Sequence, residues 1–173
     1  MFDDGSVNPL AGRIPGKFEL RYNSEWMDST NFNAVGELAA NFSVAEMLDR
    51  DNFSKRYNGG VRISLQEFLY PIMQGLDSVA IHADVELGGN DQYFNLLAGR
   101  RLQEAHGQRK QDVMTFDLLV GPDGKKMSKT GGNTIAVDMP SNEMFVKAME
   151  VADHLVWDFF ELTTRKTLEF IEE

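Results

Sequence analysis

Three lysines within five residues, bounded by glycines, are the part of this sequence best equipped for chemistry. The stretch Gly121 to Asn133 reads GPDGKKMSKTGGN. Lys125, Lys126 and Lys129 cluster ammonium groups there, and Ser128 and Thr130 add hydroxyl donors. Gly124, Gly131 and Gly132 let the backbone reach positive φ and approach a ligand with no Cβ in the way. Such a loop suits a polyphosphate, whose charge it can neutralise as that charge develops. It is not a Walker A loop, because no G-x-x-x-x-G-K-[ST] string can be read in it. A solvated basic turn between two elements would carry the same spacing.

Two further groupings stand upstream. Tyr70, Gln74 and Asp77 fall at i, i+4 and i+7, so a helix puts a phenol, an amide and a carboxylate on one face. They could bind a small polar ligand; a helix with one buried Tyr, one exposed Gln and a terminal Asp fits the same letters. Gly88-Gly89-Asn90-Asp91-Gln92 lies between an expected strand end and an expected helix start. Open α/β sheets bind ligands at that place, and an Asp there can accept from ribose hydroxyls. A tight turn with an Asp near a helix N-terminus reads alike.

The elements that must position these groups follow from capping and periodicity. Residues 1–16 are rich in Gly, Pro, Asn and Asp and read as loop. Lys17 to Tyr22 alternates, placing Phe18, Leu20 and Tyr22 on one face of a strand. Asn33 to Ala40 reads as a short helix. Ser43-Val44-Ala45-Glu46 forms a capping box for a helix carrying Met47 and Leu48 inward. Asp51 to Tyr57 adds a further helical turn, ended by Asn58-Gly59-Gly60. A second box, Ser64-Leu65-Gln66-Glu67, opens the helix of Tyr70 and Asp77, expected to run to about Leu76 despite Pro71. Val79 to Leu87 reads as a strand stopped by Gly88-Gly89. Asp91 to Ala105 reads as an amphipathic helix with Phe94, Leu97, Ala98 and Leu102 inward. Val113 to Val120 is an apolar run of strand length leading into the lysine loop. Strand, helix, strand predicts a right-handed crossover and part of a parallel sheet, an α/β fold. From Ser141 the pattern turns helical, with Phe145, Met149, Leu155, Trp157, Phe160, Leu162, Leu168 and Phe170 as expected core.

Composition narrows the function classes. The 173 residues are 42% hydrophobic, enough for a substantial core. No run approaches 18 apolar residues and the first residues lack a secretory pattern, so no membrane association is expected. Cysteine is absent, which excludes disulfides and thiolate metal sites and fits the cytoplasm. His82, His106 and His154 are too scattered to form a metal cluster. The net charge of −10 is uneven. Residues 1–99 carry 7 basic and 14 acidic side chains, residues 131–173 carry 3 and 9, and residues 100–130 carry 7 and 4. The one basic window holds the lysine loop. Bulk-charge binding of nucleic acid is unexpected, since phosphate contacts need a basic surface; a local polyanion site is not.

Lys126-Met127-Ser128-Lys129-Thr130 resembles the KMSKS signature of class I aminoacyl-tRNA synthetases, with Thr for the commoner final Ser. The order Y-x-x-x-Q-x-x-D, GG-x-DQ, KMSKT resembles bacterial tyrosyl-tRNA synthetases. KFELRYNSEW, EFLYPIMQGLDS and ADVELGGNDQYFNLLAGR extend the likeness over most of residues 17–135. The resemblance implies a Rossmann-like nucleotide-binding domain with parallel strands and flanking helices. Residues 1–140 would be a partial catalytic domain, with a connective insertion at about 20–65 and the tyrosine and ATP site at 66–135. Residues 141–173 would start a helical tRNA-binding region.

The same resemblance assigns roles. Asp77 is similar to the carboxylate that accepts from the tyrosine phenol, and Tyr70 and Gln74 to the residues holding the α-ammonium. Gln92 matches a residue that contacts the tyrosyl group. Gly88, Gly89 and Asp91 match the ribose and adenylate position. Lys126 and Lys129, with Met127, Ser128 and Thr130, stand where the family brings mobile lysines to the ATP phosphates. The implied reaction joins tyrosine to ATP, brought with Mg2+, as tyrosyl-adenylate, and passes the tyrosyl group to tRNA-Tyr. No protein-bound metal is expected, and a homodimer built around the insertion is.

The likeness has limits. Class I synthetases carry an H-x-G-H type signature, and none of the three histidines here has that context. The expectation is therefore a portion of a synthetase catalytic region, its activity belonging to the longer enzyme. A non-catalytic tyrosine- and ATP-binding or dimerisation module is the alternative. The tryptophanyl relative is disfavoured by Asp77 together with Tyr70 and Gln74.

Overall fold

The computed structural model describes residues 19–127 and 132–172. The expected loop at 1–16 and Lys17 and Phe18 lie outside them. The described chain divides into two compact units. The first takes the chain up to Glu86 together with Phe94–Asp112; the second takes Leu87–Tyr93 and the chain from Val113 onward.

Helices dominate the first unit: α1 (Ser24–Met27), α2 (Phe32–Ala39), α3 (Val44–Leu48), α4 (Asp51–Asn58), α5 (Leu65–Ala80) and α6 (Tyr93–Ala105). Side-chain caps set several starts. Asn31 Oδ1 accepts from the Ala34 N–H at 3.0 Å, and Ser43 Oγ accepts from the Glu46 N–H at 3.1 Å. Ser64 and Glu67 close the reciprocal box, satisfying two orphan donors of α5. The ends are as regular. After α5 the Ala83 N–H reaches Ser78 O and the His82 N–H reaches Val79 O, with His82 itself at φ 51°. This is the left-handed C-terminal turn usually given to glycine, and Gly107 takes the same place after α6.

Leu38, Met47, Ile72, Val79 and Leu102 form the buried centre, with Phe42, Phe68, Leu76 and Phe94 packed on it. Leu96 and Phe53 are also buried. Where α5 meets α6, a Cβ on Gly75 would stand 3.0 Å from the Ala98 backbone, so glycine permits the approach.

The sheet consists of β1 (Val85–Gly89) and β2 (Asp112–Phe116), a parallel pair with α6 between them in sequence. Several expected boundaries move. Residues 19–22 form no strand; Arg21 instead pairs with Glu25 in the first turn of α1. The helix expected to stop near Leu76 continues to Ala80, because Ile72, Gly75 and Val79 keep one buried stripe through its last turns. Val79 and Ala80 thus belong to α5, and the strand starts only at Val85, once the His82 turn has reversed the chain. Gly88 and Gly89 are its last residues. In α6, Leu97 is exposed and Leu96 is buried in its place.

The second unit adds α7 (Ser141–Met149), α8 (Val156–Thr163) and α9 (Leu168–Glu172). Of the core expected here, only Leu155 is buried. Phe145, Met149, Trp157, Phe160, Leu162, Leu168 and Phe170 are exposed. Their periodicity is helical, but short helices bury a stripe only against a partner element. No described helix is long and apolar enough to cross a membrane.

Candidate functional site

In the first unit α5 sets Tyr70, Gln74 and Asp77 along one face, as their spacing requires. Tyr70 is exposed, while Gln74 and Asp77 are partly buried. Asp77 is not idle: the Trp26 indole Nε1–H donates to its Oδ1 at 2.8 Å. Burial pushes the Asp77 carboxyl above the ordinary aspartate range; the indole hydrogen bond opposes this and the nearby Glu86 charge adds to it. Trp26 is in turn fixed under Arg21, whose guanidinium lies 5.8 Å from the ring centroid and pairs with Glu25 at 2.6 Å.

Gln74 Nε2 donates to Glu86 Oε1 at 3.3 Å. The other oxygen of Glu86 accepts from Ser78 Oγ at 2.7 Å and from Gln111 Nε2 at 2.5 Å. Ser78 and Gln111 are almost fully buried. Gln111 is anchored through its backbone N–H, which donates to Gln103 Oε1 at 2.7 Å. Gly99 floors this network: a Cβ there would stand 2.5 Å from Ser78 Oγ and 2.6 Å from Gln111 Nε2.

Arg50, from the turn before α4, lies 4.4 Å from the Phe94 ring centroid and donates to Asn95 Oδ1 at 3.0 Å. Burial lowers its guanidinium, and Tyr70 acts the other way. Chemically, this half offers a carboxylate with one oxygen held by an indole, an oriented amide and a phenol. It can accept from a ligand hydroxyl and from a ligand ammonium.

The second unit gathers the other residues. Gly88 and Gly89 end β1, and Asn90–Gln92 form a 3-10 turn. A Cβ on Gly89 would stand 2.6 Å from Leu118 Cδ2 and 2.8 Å from Asp91 Oδ1, so a side chain there would have to displace the Leu118 and Asp91 side-chain ends. Lys126 Nζ meets Asp91 Oδ2 at 2.6 Å, and Gln92 Nε2 donates to the same oxygen at 3.1 Å. The Lys126 hydrogen bond is the main reason the Asp91 carboxyl lies below its ordinary range.

The strand expected to run through Val120 ends at Phe116, and Val120 instead forms an isolated antiparallel bridge with Lys126. The turn between them closes with the Gly121 N–H on Lys125 O at 2.7 Å and Gly124 at φ 74°. Asn133 staples the far side, its Nδ2 donating to Asp123 Oδ1 at 2.9 Å and lying 3.3 Å from Lys126 O. That contact holds the Asp123 carboxyl low. Met127 is partly buried; Ser128, Lys129 and Thr130 lie outside the described residues. Asp91, Gln92 and Lys126 are thus brought together in this unit, and Tyr70, Gln74 and Asp77 in the other.

Sequence reasoning missed Trp26, Ser78, Glu86, Gln111 and the staple role of Asn133. Trp26 lies 51 positions from Asp77, beyond any periodicity. Glu86 falls inside the run Val79 to Leu87, whose letters mark a strand but nothing about this carboxylate.

Comparison with known proteins agrees with the motifs. The family described as tRNA synthetases class I (W and Y) matches residues 11–173. The tyrosine–tRNA ligase of Oleidesulfovibrio alaskensis is 54% identical over 160 residues, 92% of this chain and 40% of the relative. Tyrosine–tRNA ligase 2 of Vibrio parahaemolyticus is 51% identical over 160 residues, with the same coverage. The chain therefore spans about 40% of the length of the curated relatives it matches. Among solved structures, a C-terminally truncated mitochondrial tyrosyl-tRNA synthetase of Coccidioides posadasii superposes with a TM-score of 0.61 at 25% identity, covering 90% of this chain and 49% of that one. The Archaeoglobus fulgidus tyrosyl-tRNA synthetase solved with L-tyrosine gives 0.57 at 25% identity, covering 75% of this chain and 40% of that one. With the family model matching residues 11–173 and its motifs in family order, this chain belongs to the class I tRNA synthetases of the W and Y group.

Proposed function

We propose that this chain supplies the tyrosine-binding and much of the ATP-binding surface of a tyrosine–tRNA ligase. Tyrosine's carboxylate attacks the α-phosphorus of ATP, giving tyrosyl-adenylate and pyrophosphate, and the tyrosyl group then passes to the terminal adenosine of tRNA-Tyr. The observation that carries the reading is Asp77, partly buried on the α5 face of Tyr70 and Gln74, with one oxygen held by Trp26. Its other oxygen suits a phenol hydroxyl, and phenylalanine would leave a desolvated carboxylate unpaired. Tyr70 and Gln74 take the α-ammonium, and Gln92 contacts the tyrosyl group. Gly88, Gly89 and Asp91 take the ribose side. Lys126 and Lys129, flanked by Met127, Ser128 and Thr130, engage the phosphates as charge builds on the departing pyrophosphate, which favours the transition state over the ground state.

Mg2+ arrives with ATP in this reading. Residues 1–140 serve as catalytic domain, with the insertion at 20–65 and the site at 66–135, and residues 141–173 begin the tRNA-binding region. A cytoplasmic homodimer contacting through residues 20–65 completes the proposal, and a monomer at micromolar concentration by light scattering would count against that contact.

The test is tyrosine-dependent ATP–pyrophosphate exchange on the purified chain, with Lys129→Ala as control. Exchange that needs tyrosine and falls in the variant would mean that this portion activates tyrosine without the H-x-G-H half. No exchange from a folded sample would mean an incomplete site, with the activity belonging to the longer enzyme. Binding unchanged by Asp77→Ala would overturn the pocket itself.

A further inference from the structure

Glu86 is a carboxylate with neutral donors and no cation. Ser78 Oγ, Gln111 Nε2 and Gln74 Nε2 surround its two oxygens. It takes part in no ion pair among the described residues. The donors around it are arranged at a cost. Gln111 turns its amide nitrogen toward Glu86, Ser78 Oγ and Leu96 O, and leaves its own buried Oε1 with no partner. A carboxylate so supported keeps an uncompensated negative charge in partly desolvated surroundings, and such a charge seeks a cation.

The hydrogen bond to Gln74 has a directional consequence. An amide that gives its N–H to Glu86 must turn its carbonyl oxygen the other way. Gln74 therefore presents an acceptor along the α5 face, where a freely rotating amide would offer donor and acceptor alike. An ammonium ion donates only, so a fixed carbonyl suits it and an –NH2 repels it.

We infer that Glu86 is the positioning residue of the amine end of this site: it locks Gln74 with its carbonyl toward the ligand and supplies the negative charge that selects a ligand bearing an ammonium group. This rests on the reading of α5 as the tyrosine surface. It adds a residue on β1, outside every motif, whose charge the incoming α-ammonium balances.

Three ligands separate the roles. L-tyrosine carries phenol, ammonium and carboxylate; tyramine lacks the carboxylate; 3-(4-hydroxyphenyl)propionate lacks the ammonium. Calorimetric binding of each is compared between the chain and Glu86→Gln, with circular dichroism confirming the fold. The expected result is a loss of about tenfold or more for tyrosine and tyramine, the scale of one charge-assisted hydrogen bond, with the propionate nearly unchanged. Glu86→Asp, which keeps the charge, should recover part of the preference for the amines. Equal losses for all three ligands, or none, would overturn the inference while leaving the tyrosine reading intact. Failure of the unsubstituted chain to bind any of them would overturn the tyrosine reading, and this inference with it. Should Glu86→Gln not fold, Gln74→Met removes the oriented carbonyl and must show the same selective loss; an unselective one refutes the proposal.

Discussion

Replacing Gly99 by Ala tests whether the network beneath the site is as tightly built as its distances indicate. In the interior of α6, Ala should stabilise the helix by about 1 kcal/mol relative to Gly. Against this, the added Cβ would stand 2.5 Å from Ser78 Oγ, 2.6 Å from Gln111 Nε2 and 3.0 Å from Ser78 Cβ. Ser78 and Gln111 are 2% and 1% exposed, so their side chains can shift only against buried neighbours and away from Glu86. Overpacking of this kind costs about 1–3 kcal/mol. Displacing Ser78 and Gln111 also weakens two hydrogen bonds to the Glu86 carboxylate, each worth about 1.5–3 kcal/mol when fully lost. Since Glu86 is only partly buried, about half of that is a reasonable share. The net expectation is a loss of about 1.5–5 kcal/mol. With a urea dependence of about 2 kcal/mol per molar, the unfolding midpoint should fall by about 1–2.5 M.

Gly36→Ala in α2 is the internal comparison. No atom lies within 4 Å of its Cβ position, so the same substitution should raise stability by up to about 1 kcal/mol. Opposite signs for two Gly→Ala changes in two helices would confirm that space, not propensity, decides at Gly99. A Gly99→Ala chain as stable as the parent would refute the packing described around Glu86.

Trp26→Phe removes the hydrogen bond that holds the Asp77 carboxyl down against burial and the Glu86 charge, so that carboxyl should rise further; the acid limb of tyrosine binding, followed by calorimetry at several pH values, should move to higher pH. Glu67, hydrogen-bonded by Arg56, is lowered from 4.5 to about 2. A lowered acid stabilises the fold above its unfolded value and loses that contribution as pH falls from 4.5 through about 2. Glu67→Gln should therefore flatten the acid limb of a stability–pH profile in that window, and an unchanged limb would refute the assignment. Lys126→Ala should let the Asp91 carboxyl rise toward its ordinary range in a carbon-detected NMR titration, while thermal stability changes by less than about 1 kcal/mol, as for exposed ion pairs generally.

What was legible in the sequence was local. Ser43 and Ser64 announced α3 and α5 because a cap is satisfied within four residues, and Gly59-Gly60 ended α4 for the same reason. The common face of Tyr70, Gln74 and Asp77 needed only a helix. What escaped depended on partners distant in sequence. Val79 and Ala80 look like the start of a strand, but Val79 lies in the buried cluster with Leu38 and Leu102, which keeps both in the last turn of α5. In α6 the inward face includes buried Asn95 and Gln103, so a count of apolar residues points the helix about one position astray, toward Leu97. The aromatic residues of α7 to α9 repeat with helical period, yet periodicity says which side is apolar and not whether anything covers it. Asp77 and Lys126 were named from motifs. Their partners, Trp26 at one and Asp91 at the other, emerged from tertiary contacts, although Asp91 had been assigned a separate task.

β1 passes from the first compact unit to the second between Glu86 and Leu87, in mid-strand. Its first half carries the carboxylate that orients Gln74, and its second half carries the glycines leading to Asp91. Strand side chains alternate faces, so inserting or deleting one residue upstream in β1 would turn Glu86 away from its donors. The same edit would shift everything after it by one place in the ladder. Five residues thus carry both the Glu86 network and the lead into the Asp91 turn, so a one-residue edit there disturbs both at once. Each unit is built from two separated pieces of the sequence, so neither can be cut out as one uninterrupted stretch without severing β1.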